Sequence, residues 1–174
     1  MAATRRGIEK IQRLFAEVDG SVERLTRYHG DRLACRRGCT GCCLDGLAIF
    51  EVEAGPIREN CRDELARAPH PPGACAFLDT EGACRIYAHR PYVCRTQGLP
   101  LRWFSEGDDG QFAELRDICE LNEAGNPIES LGADSCWLLG PVEEQLAELQ
   151  VSEGGGGSGG RVYLRALFRC EEEE

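Results

Sequence analysis

Four thiols stand within the nine residues CRRGCTGCC, Cys35 to Cys43, and no other stretch constrains the fold as tightly. Cys35, Cys39, Cys42 and Cys43 are spaced by Gly38 and Gly41, which give the backbone freedom to turn sharply. A turn bearing three or four thiolates can wrap a soft metal ion, its side chains converging on one point. The competing reading is a pair of disulfides or a set of small buried cysteines. The count of 11 cysteines is odd, so an all-disulfide scheme leaves one without a partner. The start, MAATRRGIEKIQRLFAEVDG, carries no apolar signal core, and no later run approaches the length of a membrane span. The expected location is therefore cytoplasmic, where thiols stay reduced and dense cysteine points to metal or redox chemistry.

The formal charge is −10, from 20 basic and 30 acidic residues. That balance argues against nucleic acid as a bulk partner, because such binding rests on neutralising phosphates. The cations are unevenly spread. Arg85, Arg90, Arg95 and Arg102 lie between Cys84 and Phe104 with no acid among them, and Arg32, Arg36 and Arg37 flank the first turn. A zinc ion held by four thiolates carries a net charge of about −2, which nearby guanidinium groups and N–H donors offset. Arg90 and Arg95, beside Cys94, are the expected supports of such a centre. The rival reading is a basic patch that recognises phosphate or an acidic partner.

In residues 4–28, Ile8, Ile11, Leu14, Phe15, Val18, Val22 and Leu25 recur at spacings of three and four, the signature of an amphipathic helix. Gly20-Ser21 is a candidate interruption, with Asp19 or Ser21 capping a second segment. Leu47–Phe50 reads as a short strand. EVEAGPIRENCRDELARA reads as a helix with Pro56 near its first turn, where proline is tolerated, and with Cys61 as a buried small hydrophobe. Thr80-Glu81-Gly82 predicts a hairpin turn between two short strands, placing Cys75 and Cys84 on either side. Arg90-Pro91 starts a helical turn carrying Cys94 and ending at Gly98. PVEEQLAELQ is a helix with Pro141 at its start, VSEGGGGSGG a flexible linker, and RVYLRALFRC a short helix or strand before an acidic tail.

Eight cysteines fall in segments that can converge: Cys35, Cys39, Cys42, Cys43, Cys75, Cys84, Cys94 and Cys119. Eight is twice the number that closes a tetrahedral thiolate site. Adjacent Cys42 and Cys43 point different ways, which favours two neighbouring ions or an iron–sulfur cluster over a single ion chelated by both. The spacing Cys35-x3-Cys39-x2-Cys42 matches that of radical enzymes using S-adenosylmethionine. The chain lacks their large barrel and their aromatic residue at the position of Gly41, so that enzyme class is excluded. His29 and His89 are secondary candidates, and His70 reads as solvent-facing. No Ser-His-Asp set, phosphate loop or dinucleotide fingerprint is present.

The ordered motifs CRRGCTGCC, CAFLD, GACRIYAHRPYVCR and CELN resemble the YkgJ-type cysteine-cluster proteins, whose CxxCxxCC domain is named for zinc or iron chelation. The resemblance runs from about Cys35 to Asn122, and it implies metal binding by the eight cysteines above. Three residues rather than two separate the first pair here. A similar domain occurs in flagellin lysine methylases, so the resemblance also carries an implication of iron–sulfur chemistry. Cys61, Cys136 and Cys170 match no motif of the family.

These readings combine into a small, irregular, metal-stabilised α+β domain with short strands and helices at both ends. The expected division is an N-terminal helical segment (1–30), a cysteine-cluster metal-binding domain (31–150), a Gly-rich linker (151–160) and a C-terminal segment with an acidic tail (161–174). The first functional expectation is a cytoplasmic protein holding zinc or iron, as two ions or an iron–sulfur cluster, with no membrane contact. The alternatives are an iron-dependent redox or protein- or peptide-modifying enzyme, and an adaptor reading nucleic acid or protein through its arginines.

Overall fold

A 25-residue helix, α1 (Arg5–His29), forms one wall of the molecule. The computed structural model describes residues 4–107, 110–153 and 160–168. Thr4 caps α1 by accepting the Gly7 N–H at 3.0 Å. Ile11, Leu14, Phe15 and Val18 recur at the i, i+3, i+4, i+7 spacing and are buried as one stripe. The expected break at Gly20-Ser21 does not occur. The Ser21 hydroxyl bonds back to the Glu17 carbonyl (3.1 Å), and Asp19 reaches out to Arg95, so neither residue caps a new helix.

A short strand, β1 (Ala48–Phe50), leads into α2 (Glu51–Asn60). Pro56 sits inside α2 rather than in its first turn, and the helix breaks at Cys61 before a single further turn, α3 (Arg62–Leu65). The region of Thr80-Glu81-Gly82 is a hairpin turn as expected, but a single bridge, Leu78 to Cys84, replaces the two strands. The turn is held by the Asp79 carboxylate, which accepts the N–H groups of Glu81 (2.9 Å) and Ala83 (2.7 Å). Next come α4 (Tyr92–Thr96), then β2 (Leu101–Glu106) and β3 (Phe112–Asp117), an antiparallel pair in which Leu101 faces Asp117. A two-residue strand, β4 (Trp137–Leu138), joins β2 in parallel. Helix α5 (Pro141–Ser152) follows with proline in its first turn.

Residues 161–168 pack back onto β1 and the core beside it. Strand β5 (Arg161–Tyr163) pairs antiparallel with β1, Ala48 opposite Tyr163, and the 3-10 turn Leu164–Phe168 buries Leu164, Leu167 and Phe168. Residues 151 and 152, expected in a linker, belong to α5, and 154–159 lie outside the described residues.

Two cores result. One joins α1, α2 and α5: Ile11, Leu14, Phe15, Val18, Phe50, Val52, Tyr92, Leu99, Trp137 and Leu146. The other is assembled from short pieces and contains thiols: Ile49, Ala54, Ile57, Cys61, Cys75, Ala76, Phe77, Leu78, Ile86, Leu164, Leu167 and Phe168, with Cys43 and Cys84 packed at its edge. The helices and short strands bear out a small α+β domain. Among the described residues no helix is long and apolar enough to cross a membrane.

Candidate metal centre

The turn CRRGCTGCC packs against the hairpin that carries Cys75 and Cys84. Gly38 takes a φ of 85° and Gly82 a φ of 76°, conformations that favour glycine. A Cβ on Gly82 would lie 3.2 Å from the Thr40 methyl and 3.6 Å from Gly38 Cα, so the two turns touch backbone to backbone. Gly41, expected to share this role, does not take a positive φ. The Cys75 N–H donates to the Cys43 carbonyl at 2.9 Å, which pins the end of the first turn to the start of the hairpin. On the far side, Cys94 is carried by α4, whose first N–H, on Tyr92, donates to the buried carboxylate of Glu53 at 2.8 Å.

The consequence is a neighbourhood of five thiols, Cys42, Cys43, Cys75, Cys84 and Cys94, each acting on others in the group. The adjacent Cys43 thiol, with help from Arg90, holds the Cys42 pKa down to about 6. Cys43 is driven strongly upward by the same neighbour and by burial. Burial raises Cys75 and Cys84 as well. Cys94 is pushed up to about 12, first by burial and then by repulsion from Cys75, Cys84 and Cys42. Arg90 opposes the rise at Cys84 and Cys94 and adds to the lowering at Cys42. Its guanidinium lies 4.0 Å over the Tyr87 ring. Cys75 is buried, Cys43, Cys84 and Cys94 are half-buried and Cys42 is exposed; ionising several such neighbours together is unfavourable unless a cation sits among them.

Cys35 and Cys119 are exposed and are gathered around a different residue. Asn122 is fully buried, and its own N–H donates to the Cys119 carbonyl at 2.7 Å. Its side chain accepts from the Ala34 N–H at 2.7 Å and donates to the Gly98 carbonyl at 2.7 Å and the Cys35 sulfur at 3.5 Å. Asn122 was not singled out from the sequence, although it closes the CELN motif. Cys39, half-buried, stands on the turn between the two groups, its N–H bonded to the Arg36 carbonyl at 2.9 Å.

None of the ten described cysteines is in a disulfide, and Cys170 lies outside the described residues. Among the described residues, no three Cys, His, Asp or Glu side chains are grouped closely enough to hold a metal ion as they stand. The donor set is all sulfur, the chemistry of a soft ion. The backbones of the first turn and the hairpin already touch, so side-chain rotation is the movement left to bring sulfurs together.

The remaining candidates have other engagements. Arg95 is buried, pairs with Asp19 at 2.5 Å, stacks 4.3 Å from the Phe15 ring and donates to the Ala88 carbonyl. These contacts fasten α4 to α1, and none is to a cysteine. Arg85 donates to the Ala76 carbonyl at 2.8 Å and covers the Phe168 ring, and Arg102 pairs with Glu114 at 3.3 Å. With Arg90 over Tyr87, all four clustered arginines therefore face acids or aromatic rings of this chain rather than forming an open basic patch. His29 Nε2 is 2.6 Å from the Ser135 carbonyl, joining the end of α1 to a loop. His89 is exposed and His70 half-buried. Cys61 and Cys136 are buried, Cys61 as expected of a small hydrophobe.

No curated protein and no solved structure matches the chain at a significant level. One family model does match, CxxCxxCC, described as "Putative zinc- or iron-chelating domain", over residues 34–120. The matched span runs from the residue before Cys35 to the residue after Cys119, and so includes all eight candidate ligands and both groups of thiols. With half of its 174 residues inside that match, the chain belongs to the CxxCxxCC family.

Proposed function

We propose that this chain holds zinc or iron through thiolates of Cys35, Cys39, Cys42, Cys43, Cys75, Cys84, Cys94 and Cys119. The observation that carries the reading is the neighbourhood of Cys42, Cys43, Cys75, Cys84 and Cys94. Its sulfurs come from three separate stretches of chain, are free of disulfides, and repel one another when ionised. A cation among them converts that repulsion into attraction and releases protons as it binds. Arg90 then serves the loaded centre by offsetting the surplus negative charge of the thiolates. Arg95 acts on the centre through packing, by keeping α4 and Cys94 against α1.

Eight thiolates suit two ions or one iron–sulfur cluster, and the two differ in what they allow. Zinc is redox-silent and makes the protein a binding or accessory module in the cytoplasm, whereas an iron–sulfur centre opens electron transfer or the modification of a protein or peptide. The deciding experiment is elemental analysis with an absorption spectrum of anaerobically purified protein. Zinc or iron at one or more equivalents per chain is the expected result. Iron with visible thiolate-to-iron bands favours the redox reading, and zinc with a colourless protein favours the binding module. A protein free of metal, and unable to take up either ion under reducing conditions, overturns the proposal.

A further inference from the structure

The Asn122 carboxamide is oriented by the backbone on both sides. The Ala34 N–H is a donor and must meet Oδ1, at 2.7 Å, while the Gly98 carbonyl is an acceptor and must meet Nδ2, also at 2.7 Å. The face turned toward Cys35 is therefore the NH2 group, 3.5 Å from the sulfur. Gly98 completes the seat. It takes a φ of 88°, and a Cβ there would collide with the Cys35 sulfur. Around this point the chain offers little else to fix a side chain, since Cys35, Arg36, Arg37 and Gly38 are all exposed.

We infer that Asn122 is a positioning residue for Cys35: it holds the sulfur by an N–H···S hydrogen bond and sets it for metal ligation. The inference rests on the metal-binding reading above. Asn122 bridges Ala34–Cys35, Gly98 and Cys119 at once, and Arg32 Nε donates to its carbonyl at 2.9 Å. One fully buried amide thus couples the first ligand of the cysteine turn to the last cysteine of the family match. An N–H donor aimed at a ligating sulfur withdraws charge from it and fixes its orientation, and loss of such a partner typically lowers metal affinity about 10–100-fold.

The test loads the full chain with Co2+ without oxygen, as wild type, Cys35→Ser, Asn122→Ala and the double variant, and reads the thiolate-to-cobalt charge-transfer intensity. Cys35→Ser is expected to lose intensity from one Co–S bond. Asn122→Ala is expected to lose the same increment and to bind Co2+ about 10–100-fold more weakly. The double variant is expected to lose no more than either single variant, because Asn122 acts through that sulfur. A wild-type spectrum in Asn122→Ala, or losses that add in the double variant, overturns the inference and leaves metal binding standing. A wild-type chain that takes up no cobalt overturns both. If Asn122→Ala fails to fold, the Asn122 side-chain amide resonances of the Cd2+-loaded wild type decide. They are expected to shift on loading, and not to shift in Cys35→Ser; resonances that ignore cadmium overturn the inference.

Discussion

The two cores of this molecule are built by different means. The helical core around Ile11, Phe15 and Leu146 rests on α1, α2 and α5, whose hydrogen bonds are local and whose apolar residues meet in one cluster. The thiol-bearing core around Phe77 and Ile57 takes Ala54 and Ile57 from one face of α2, and the rest is pieced together from two three-residue strands, a hairpin with one bridge, and a closing 3-10 turn. Its backbone bonds join residues far apart in sequence, as Leu164 N–H to the Leu47 carbonyl and Cys75 N–H to the Cys43 carbonyl show. Such contacts are formed only after the entropy of closing long loops has been met. A metal bound across the turn, the hairpin and α4 would supply the missing cross-link on the side of the molecule that needs it.

Metal removal should separate the two cores most widely. A structural thiolate site can contribute on the order of 10 kcal/mol, comparable with the roughly 5–15 kcal/mol net stability of a domain. Stripping the loaded chain with a chelator is expected to abolish amide protection in 35–43 and 75–94 while α1 and α5 keep partial protection, as hydrogen exchange would show. Binding expels protons from the raised thiols Cys43, Cys75, Cys84 and Cys94, so the stability gained from metal should grow with pH and vanish on acidification. Uniform loss of protection in both halves would merge them into one cooperative unit.

Truncation at each core should sharpen the contrast. Phe77→Ala is expected to cost about 3–5 kcal/mol, and Ile11→Ala about 2–5 kcal/mol. Both residues are essentially unexposed. The distinguishing quantity is metal affinity, measured by competition with a coloured chelator. Phe77→Ala should weaken it, since the residue lies in the same core as Cys75, whereas Ile11→Ala should lower the melting temperature and leave affinity within about twofold.

The same contrast explains what the sequence disclosed. The helical half was legible because periodicity is a local signal: Ile11, Leu14, Phe15 and Val18 appear in the chain as they do in the core. Gly20 misled because a glycine lowers helix propensity by only about 1 kcal/mol, less than packing of the buried stripe supplies. The thiol half was legible as composition and motif but not as geometry. Nothing in residues 161–163 announces that they pair with β1, and nothing near Trp137 announces a parallel partner in Leu101. Asn122 is the clearest omission. A buried asparagine that satisfies backbone groups of two distant segments, at Ala34 and Gly98, has no periodic signature, and only its place in CELN marks it.

One group belongs to both halves. Glu53 is 3 % exposed and accepts from the N–H groups of Phe50 (3.0 Å) and Tyr92 (2.8 Å), joining α2 to α4. Burial lifts its pKa to about 7 from an ordinary 4.5, despite those two donors. The folded chain therefore holds this proton more tightly than the unfolded chain. Its contribution is fully present below pH 4.5 and is lost as pH rises through 7, a difference of roughly 3 kcal/mol. Glu53→Gln removes the titration but turns an amide NH2 toward one backbone donor, at a cost of about 1–3 kcal/mol. At pH 5 the variant should be the less stable protein, and by pH 8 the gap should close or reverse. Parallel stability curves for the two proteins would mean that Glu53 stays ionised in the fold.

The smallest effect is expected where the thiol turn looks most visibly fastened. Arg37 and Glu81 form an ion pair at 2.9 Å between the turn and the hairpin, with side chains 72 % and 74 % exposed. Water screens such a pair, and its two long side chains must be ordered to form it, so it is worth about 0–1 kcal/mol. Arg37→Ala should therefore change neither metal content nor melting temperature by more than that margin implies. Gly82→Ala, at the same junction, forces a strained φ and pushes a methyl against Thr40, so it should disturb the loaded centre measurably. If instead Arg37→Ala releases metal and Gly82→Ala does not, the turn is held by surface charge rather than by close backbone packing. The thiol half would then owe its assembly to electrostatics that salt can titrate away.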